Sequence, residues 1–144
     1  MMSEEARAVF QEYLDQFSER LRGGKCERWK LMDENFRFVL NGQPPSKIVV
    51  EGAETVRQLE EGDIFTPMEV GDPDFGYYVD EYIGEGDRMA AVVRGRGESN
   101  RGMAYSNTYL FVFEVRNGKL TEVIEDGDTS LGAQHIFDLE MVTS

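Results

Sequence analysis

Asn117-Gly118 stands between two runs of alternating apolar and polar residues, the sequence of a two-residue hairpin turn. Such a turn sets the register of its strands. With Arg116 opposite Lys119, Val115 pairs with Leu120, Phe113 with Glu122, Phe111 with Ile124, Tyr109 with Asp126 and Asn107 with Asp128. Alternate pairs share a face. One face then carries Val115, Leu120, Phe113, Phe111, Ile124, Tyr109, Asp126, Asn107 and Asp128, with Tyr105 beyond. It is apolar beside the turn and turns polar and aromatic at the far end, which is how a small-molecule pocket is composed. The other face, with Leu110, Val112 and Val123 among Arg116, Glu114, Thr121, Glu125 and Thr108, suits solvent or a dimer contact.

The remaining pattern places helices first and strands after. Ala6, Phe10, Tyr13, Leu14, Phe17 and Leu21 recur at spacings of three and four, which predicts a helix over 4–22 stopped by Gly23-Gly24. A short helix follows at 25–32, with Cys26, Trp29 and Met32 on one side. Phe36, Phe38 and Leu40 alternate with Arg37 and Val39 in a strand over 35–40. A loop at 41–45 and a third helix at 52–61 lead to strands at 77–84, 88–95, 103–116 and 119–126, and a last helix is expected over 129–139. No repeat or linker interrupts this order. It predicts one α+β domain over 1–144, with helices packed on one face of a curved antiparallel sheet.

Charge and composition narrow the partners. Asp and Glu exceed Lys and Arg by 28 to 15, a net charge of −13, which repels phosphate backbones and anionic lipid. Nucleic acid and membrane are therefore not expected partners, and the acidity itself is a solubility feature. One cysteine, Cys26, cannot close an intrachain disulfide, so a reducing, cytoplasmic compartment is expected. The start, Met1-Met2-Ser3-Glu4-Glu5, has no basic region followed by an apolar stretch, and no apolar run is long enough to cross a bilayer. With a single His and a single Cys, no zinc set is expected. Asp72-Pro73-Asp74-Phe75-Gly76 lacks calcium-loop spacing, and 95–102 lacks the Lys-Ser/Thr of a phosphate loop. Neither a metal nor a cofactor is expected.

The stretch Gly102-Met103-Ala104-Tyr105-Ser106-Asn107-Thr108-Tyr109, then Asn117-Gly118-Lys119-Leu120 and Asp128-Thr129, resembles the SnoaL-like family. The family pattern is Gly-x-x-Tyr-x-Asn-x-Tyr on a strand, a Gly-Lys-Ile/Leu turn and a closing Asp-Thr. Trp29 and Asp33 before the strand at 36–40, and Glu51-Gly52 opening a helix, extend the likeness over roughly 10–137. The resemblance implies the cone-shaped fold shared with nuclear-transport-factor-2-like proteins, ketosteroid isomerases, polyketide cyclases and limonene-epoxide hydrolases, often as homodimers. The steroid isomerase mechanism needs an Asp base with a Tyr and a protonated Asp as donors. Those positions fall at Val39 or Leu40, Phe17 and Phe111, none of which moves or donates a proton. Of the Asp–Arg–Asp set that epoxide hydrolysis needs, only Asp128 has a match, Phe111 and Tyr109 standing at the other positions. SnoaL-type cyclisation, which uses acid–base residues in the cone without metal or cofactor, remains compatible.

The candidate catalytic residues are Asp128 and Asp126, two carboxylates about 7 Å apart on one strand face, where burial and like charge raise a pKa. Asp128-Thr129-Ser130 also reads as an N-cap of the last helix. Tyr105, Asn107, Tyr109, Phe111, Phe17, Trp29 and Phe38 are candidates to line the pocket, each having an ordinary core reading as well. His135 reads as structural or solvated. The expected function is cofactor-independent acid–base chemistry (isomerisation, cyclisation or hydration) on an apolar, cyclic, oxygenated small molecule held in a hydrophobic pocket, in a homodimer joined through the sheet. The alternatives are a binding or carrier protein with the same cone, and an interaction protein whose cone is filled.

Overall fold

The computed structural model describes residues 3–42, 47–62 and 65–128. Helix α1 (Ser3–Leu21) buries Ala6, Phe10, Tyr13, Leu14 and Leu21 on one face, with Glu4 and Glu5 at its positive end and Arg20 in its last turn. The stretch expected to form a second helix is a single 3-10 turn, Arg28–Leu31, because strand β1 (Met32–Leu40) already begins at Met32. Strand β2 (Ile48–Glu51), which the pattern did not predict, precedes α2 (Ala53–Glu61), and a 3-10 turn covers Thr66–Met68. Strands β3 (Gly76–Ile83), β4 (Arg88–Glu98), β5 (Ala104–Arg116) and β6 (Lys119–Gly127) follow. The last helix expected over 129–139, with His135, lies outside the described residues.

The six strands form one open sheet in the order β2-β1-β6-β5-β4-β3. The antiparallel expectation holds for every neighbouring pair except β1 and β6, which run parallel, so the sheet is mixed. Residues far apart in sequence thereby meet: Phe38 lies beside Val123 and Leu40 beside Glu125. The α+β cone is the architecture found.

Helix α1 fills the concave side. Phe10 stacks on Phe113 at 4.2 Å with rings 4° from parallel and meets Phe111 edge-on at 5.4 Å. Ser18 donates to the Leu14 carbonyl at 2.9 Å and accepts the Tyr77 N–H at 3.0 Å, fixing the helix to β3. A Cβ at Gly76 would come within 3.1 Å of Ser18 Oγ, so glycine allows this close approach. Every odd residue of β5 from Tyr105 to Val115 is buried, and the even ones are exposed or half-buried.

The pairing of β5 with β6 shifts by one residue just after the turn. Val115 faces Leu120 as expected, but Glu114 then faces Glu122, leaving Thr121 as a bulge. Its hydroxyl binds Glu114, to the carbonyl at 3.3 Å and to Oε1 at 2.7 Å. The physical reason is burial. Without the bulge Glu122 would lie against Phe113 in the core; with it Val123, fully buried, takes that place.

Candidate active site

Downstream of the bulge each β6 side chain points opposite to its expected direction. Phe113 faces Val123, Phe111 faces Glu125 and Tyr109 faces Gly127, so Leu120, Val123 and Glu125 face into the cone. Ile124 and Asp126 pair with Val112 and Leu110 on the outer face. Two expectations are corrected by this shift. Asp126 looks away from the cone, paired with Leu110 on the outer face. It and Asp128 are exposed and border an open hollow of about 580 Å³ that takes in Val92, Ser106, Thr108 and Leu110 from the outer face and Asn107 and Tyr109 from the concave one, and the charge of Asp128 acts on Tyr105. Val123 is a core residue and offers nothing to an outer dimer contact.

The other candidates fall in three places. Tyr105, Asn107, Tyr109 and Phe111 share the concave face of β5, all buried. Phe17 on α1 reaches them through Tyr77, stacking on it at 5.4 Å while Tyr77 meets Tyr109 at 5.3 Å. Phe38 is partly buried beside Val123 and Val50. Trp29 stands apart, against α2, with the Arg57 guanidinium 4.9 Å and Lys30 Nζ 5.4 Å from its ring. The Tyr109 ring needs two glycines. A Cβ at Gly95 of β4 would lie 2.8 Å from it and one at Gly127 of β6 2.6 Å, so the ring lies in a slot between the neighbouring strands.

Polar groups converge on this aromatic surface. The hydroxyls of Tyr105 and Tyr109 are hydrogen-bonded to each other, and Asn107 Nδ2 donates to Tyr105 at 3.0 Å. Tyr77 continues the chain to Tyr109. Asn107 also braces the end of β6: its Nδ2 donates to the Asp128 carbonyl at 3.1 Å and its Oδ1 accepts the Asp128 N–H at 3.4 Å. Burial pushes the phenols of Tyr13, Tyr77, Tyr105 and Tyr109 upward, so all four stay protonated in the physiological range. They are donors, not acids.

Glu125 is the titratable group that sequence reasoning missed. Burial raises its carboxyl to about 7, partly opposed by the positive charge of Arg28. Half-buried on the concave face, it adds its charge to what acts on all four tyrosines. Arg28 and Glu60 were missed as well. Glu60 Oε1 accepts from Arg28 Nε at 2.6 Å and Oε2 from the Arg28 main-chain N–H at 3.1 Å, with side chains 8% and 1% exposed. The guanidinium lies 4.4 Å from the Phe17 ring centre and 4.9 Å from that of Tyr13. A signal for Glu125 existed: Leu120 and Val123 are three residues apart, a break in period two that marks a bulge. Arg28 turns inward because a 3-10 turn spaces side chains differently from the α-helix assumed for it.

A SnoaL-like domain profile matches residues 13–123, most of the chain. The chain belongs to the SnoaL-like family. Solved structures agree with the fold of this SnoaL-like protein at low identity. An isomerase so named provisionally from Bacillus subtilis superposes with a TM-score of 0.73 at 16% identity, covering 97% of each chain. A phenazine biosynthesis-related protein from Pseudomonas aeruginosa gives 0.69 at 18% identity, covering 99% of this chain and 90% of its own. A nuclear-transport-factor-2-like protein of unknown function from Burkholderia pseudomallei gives 0.68 at 18%, covering 92% and 97%. Curated protein sequences give no match. Among the described residues of the SnoaL-like chain no helix is long and apolar enough to cross a membrane, and no three His, Cys, Asp or Glu side chains are grouped to hold a metal.

Proposed function

We propose that this SnoaL-like protein is a cofactor-independent acid–base enzyme of the isomerase, cyclase or hydratase type, acting on an apolar, cyclic, oxygenated small molecule in the cone. The observation that carries the reading is the bulge that turns Glu125 onto the aromatic concave face beside Phe111, where burial raises its carboxyl to about 7. A group poised there holds appreciable amounts of both its forms at neutral pH, which suits transfer of a proton to and from one substrate. Glu125 replaces Asp126 and Asp128 as the acid–base candidate, because Asp126 faces outward and Asp128 is exposed beyond the end of β6. As carboxylate it takes a proton from a carbon next to a carbonyl or from a hydroxyl, and as the acid formed it returns that proton to the product. The negative charge gathering on the substrate oxygen is met by phenol donors from the set of Tyr77, Tyr105 and Tyr109, ordered by Asn107. Tyr105, Asn107, Tyr109, Phe111, Phe17 and Phe38 line the ligand, with Trp29 at the outer corner.

A carrier role is the second reading, favoured by one observation: Phe10, Phe111 and Phe113 fill part of the cone, leaving less room for a reacting ligand. The finer reading also includes a homodimer and a cytoplasmic location. Half-exposed apolar residues on the outer sheet face, Leu110, Val112, Val92 and Ile124, support the dimer, and the free Cys26 supports the location. The deciding experiment is a thermal-shift screen against steroids, aromatic polyketides, terpenes and fatty acids, followed by turnover of each hit by wild type and Glu125→Gln. Turnover that depends on Glu125 supports the enzyme. Binding without turnover establishes the carrier.

A further inference from the structure

The Asn107 side chain meets two main-chain groups that have one role each. The Asp128 carbonyl can only accept, and faces Nδ2 at 3.1 Å; the Asp128 N–H can only donate, and faces Oδ1 at 3.4 Å. These two contacts fix which way the amide points, independently of the phenols. Nδ2 is then also the atom turned to Tyr105, whose hydroxyl oxygen accepts from it at 3.0 Å. Asn107 is 6% exposed and Tyr105 2%, so the contact is shielded from water.

A phenol has one proton and two lone pairs. Once its oxygen accepts an amide N–H, it is a stronger donor and a poorer second acceptor. The bond between the Tyr105 and Tyr109 hydroxyls then carries the proton of Tyr105. The proton of Tyr109 is directed onward, to Tyr77 in the unliganded chain.

Register decides which phenol lies beside the acid–base group. Glu125 is opposite Phe111. Tyr109 is two residues from Phe111, about 7 Å along the strand, and Tyr105 is six residues away, about 20 Å. The Tyr109 ring is also wedged by both edges, since a Cβ at Gly127 would lie 2.6 Å from its Cδ1 and one at Gly95 2.8 Å from its Cε2. Neither glycine has a left-handed backbone, so the ring is what requires them.

We propose that Tyr109 is the phenol that donates to the ligand oxygen, and that Asn107 and Tyr105 are positioning residues. The amide, clamped to the Asp128 main chain, sets the direction in which the hydroxyl protons run. The proposal rests on the acid–base reading of Glu125 and selects one donor from its three phenols.

The test is NMR of the full chain without ligand, isotopically labelled at tyrosine Cζ, with the two signals assigned in Tyr105→Phe and Tyr109→Phe. Coupling of the hydroxyl proton between the two rings to one Cζ shows which oxygen holds it. The proton is expected on Tyr105 in wild type. In Asn107→Asp, whose carboxylate oxygens only accept, Tyr105 must donate to them and the shared proton is expected on Tyr109. A proton held by Tyr109 in wild type, no shared proton there, or one that stays on Tyr105 in Asn107→Asp overturns the proposal. If Asn107→Asp does not fold, the wild-type assignment decides alone. With a substrate from the screen, Tyr109→Phe is expected to slow turnover about 10²- to 10³-fold and Tyr105→Phe by less; the reverse order also overturns it. Failure of the acid–base reading looks different: Glu125→Gln then turns over normally while the shared proton still sits on Tyr105.

Discussion

β5 and β6 are the two arms of one hairpin, yet they follow different rules. β5 runs for 13 residues in unbroken alternation, with aromatic and aliphatic side chains inward from Tyr105 to Val115. β6 has an extra residue at Thr121, and beyond it the inward set changes from Glu122, Ile124 and Asp126 to Val123 and Glu125. The difference shows what controls a strand's facing. Where large apolar residues recur at every second position, burial enforces the period. Where they are sparse, as in Leu120-Thr121-Glu122-Val123, the chain gives up one ladder position to place Val123 rather than a carboxylate against Phe113.

Turnover is where the comparison breaks most visibly. Glu125→Gln is expected to slow the reaction of any identified substrate about 10²- to 10⁴-fold, while Asp126→Asn and Asp128→Asn leave it nearly unchanged. The reverse pattern, read from steady-state kinetics of the three variants, would restore the unbulged register. Next in size is packing. Phe113→Ala removes a fully buried ring stacked on Phe10, at a cost of about 3–5 kcal/mol. Leu110→Ala, three residues away but on the outer face and 46% exposed, costs about 0.5 kcal/mol or less in the monomer. Denaturant unfolding of both variants measures how far the two faces differ. A loss for Leu110→Ala that grows with protein concentration would mark a dimer through that face.

The pH dependence of stability sharpens the same contrast. Glu125 is raised from 4.5 to about 7 in the fold, so folded protein holds its proton more tightly than unfolded chain. The stability this contributes is complete below about 4.5, declines between those values and is lost above about 7. For a shift of this size it is on the order of 3 kcal/mol. Denaturant unfolding of wild type and Glu125→Gln across pH 4 to 8 should give a difference that falls with rising pH. A difference independent of pH would place Glu125 in water. The smallest effect belongs to the bulge itself: Thr121→Ala loses the two contacts to Glu114 and should cost about 1 kcal/mol by the same measurement.

Much of the fold is legible in the residues because it rests on local periodicity. The α1 spacing, the β5 alternation and Asn117-Gly118 each specify their own geometry within a few residues. β2 escaped notice because Ile48–Glu51 is short and its pairing with β1 is what makes it a strand. The parallel pairing of β1 with β6 was hidden for a related reason: alternation records which face is buried, not the direction of the neighbour. At the candidate site the concave positions of Tyr105, Asn107, Tyr109 and Phe111 were readable from β5 alone. Glu125 depended on a one-residue shift, and Arg28 on a 3-10 turn whose spacing the α-helical reading did not allow.

The amino-acid sequence by itself determined the helix-then-sheet order, the hairpin and the aromatic face of β5, because each follows from short-range sterics and the burial of apolar side chains at a fixed period. Only the tertiary structure decided which carboxylate stands inside the cone. That choice compares the burial of Glu122 with that of Val123 against Phe113 and Phe10, and the comparison has no value until α1 lies on the sheet. The buried partnership of Arg28 with Glu60 belongs to the same level, since its residues meet only when α2 packs against the turn that follows α1.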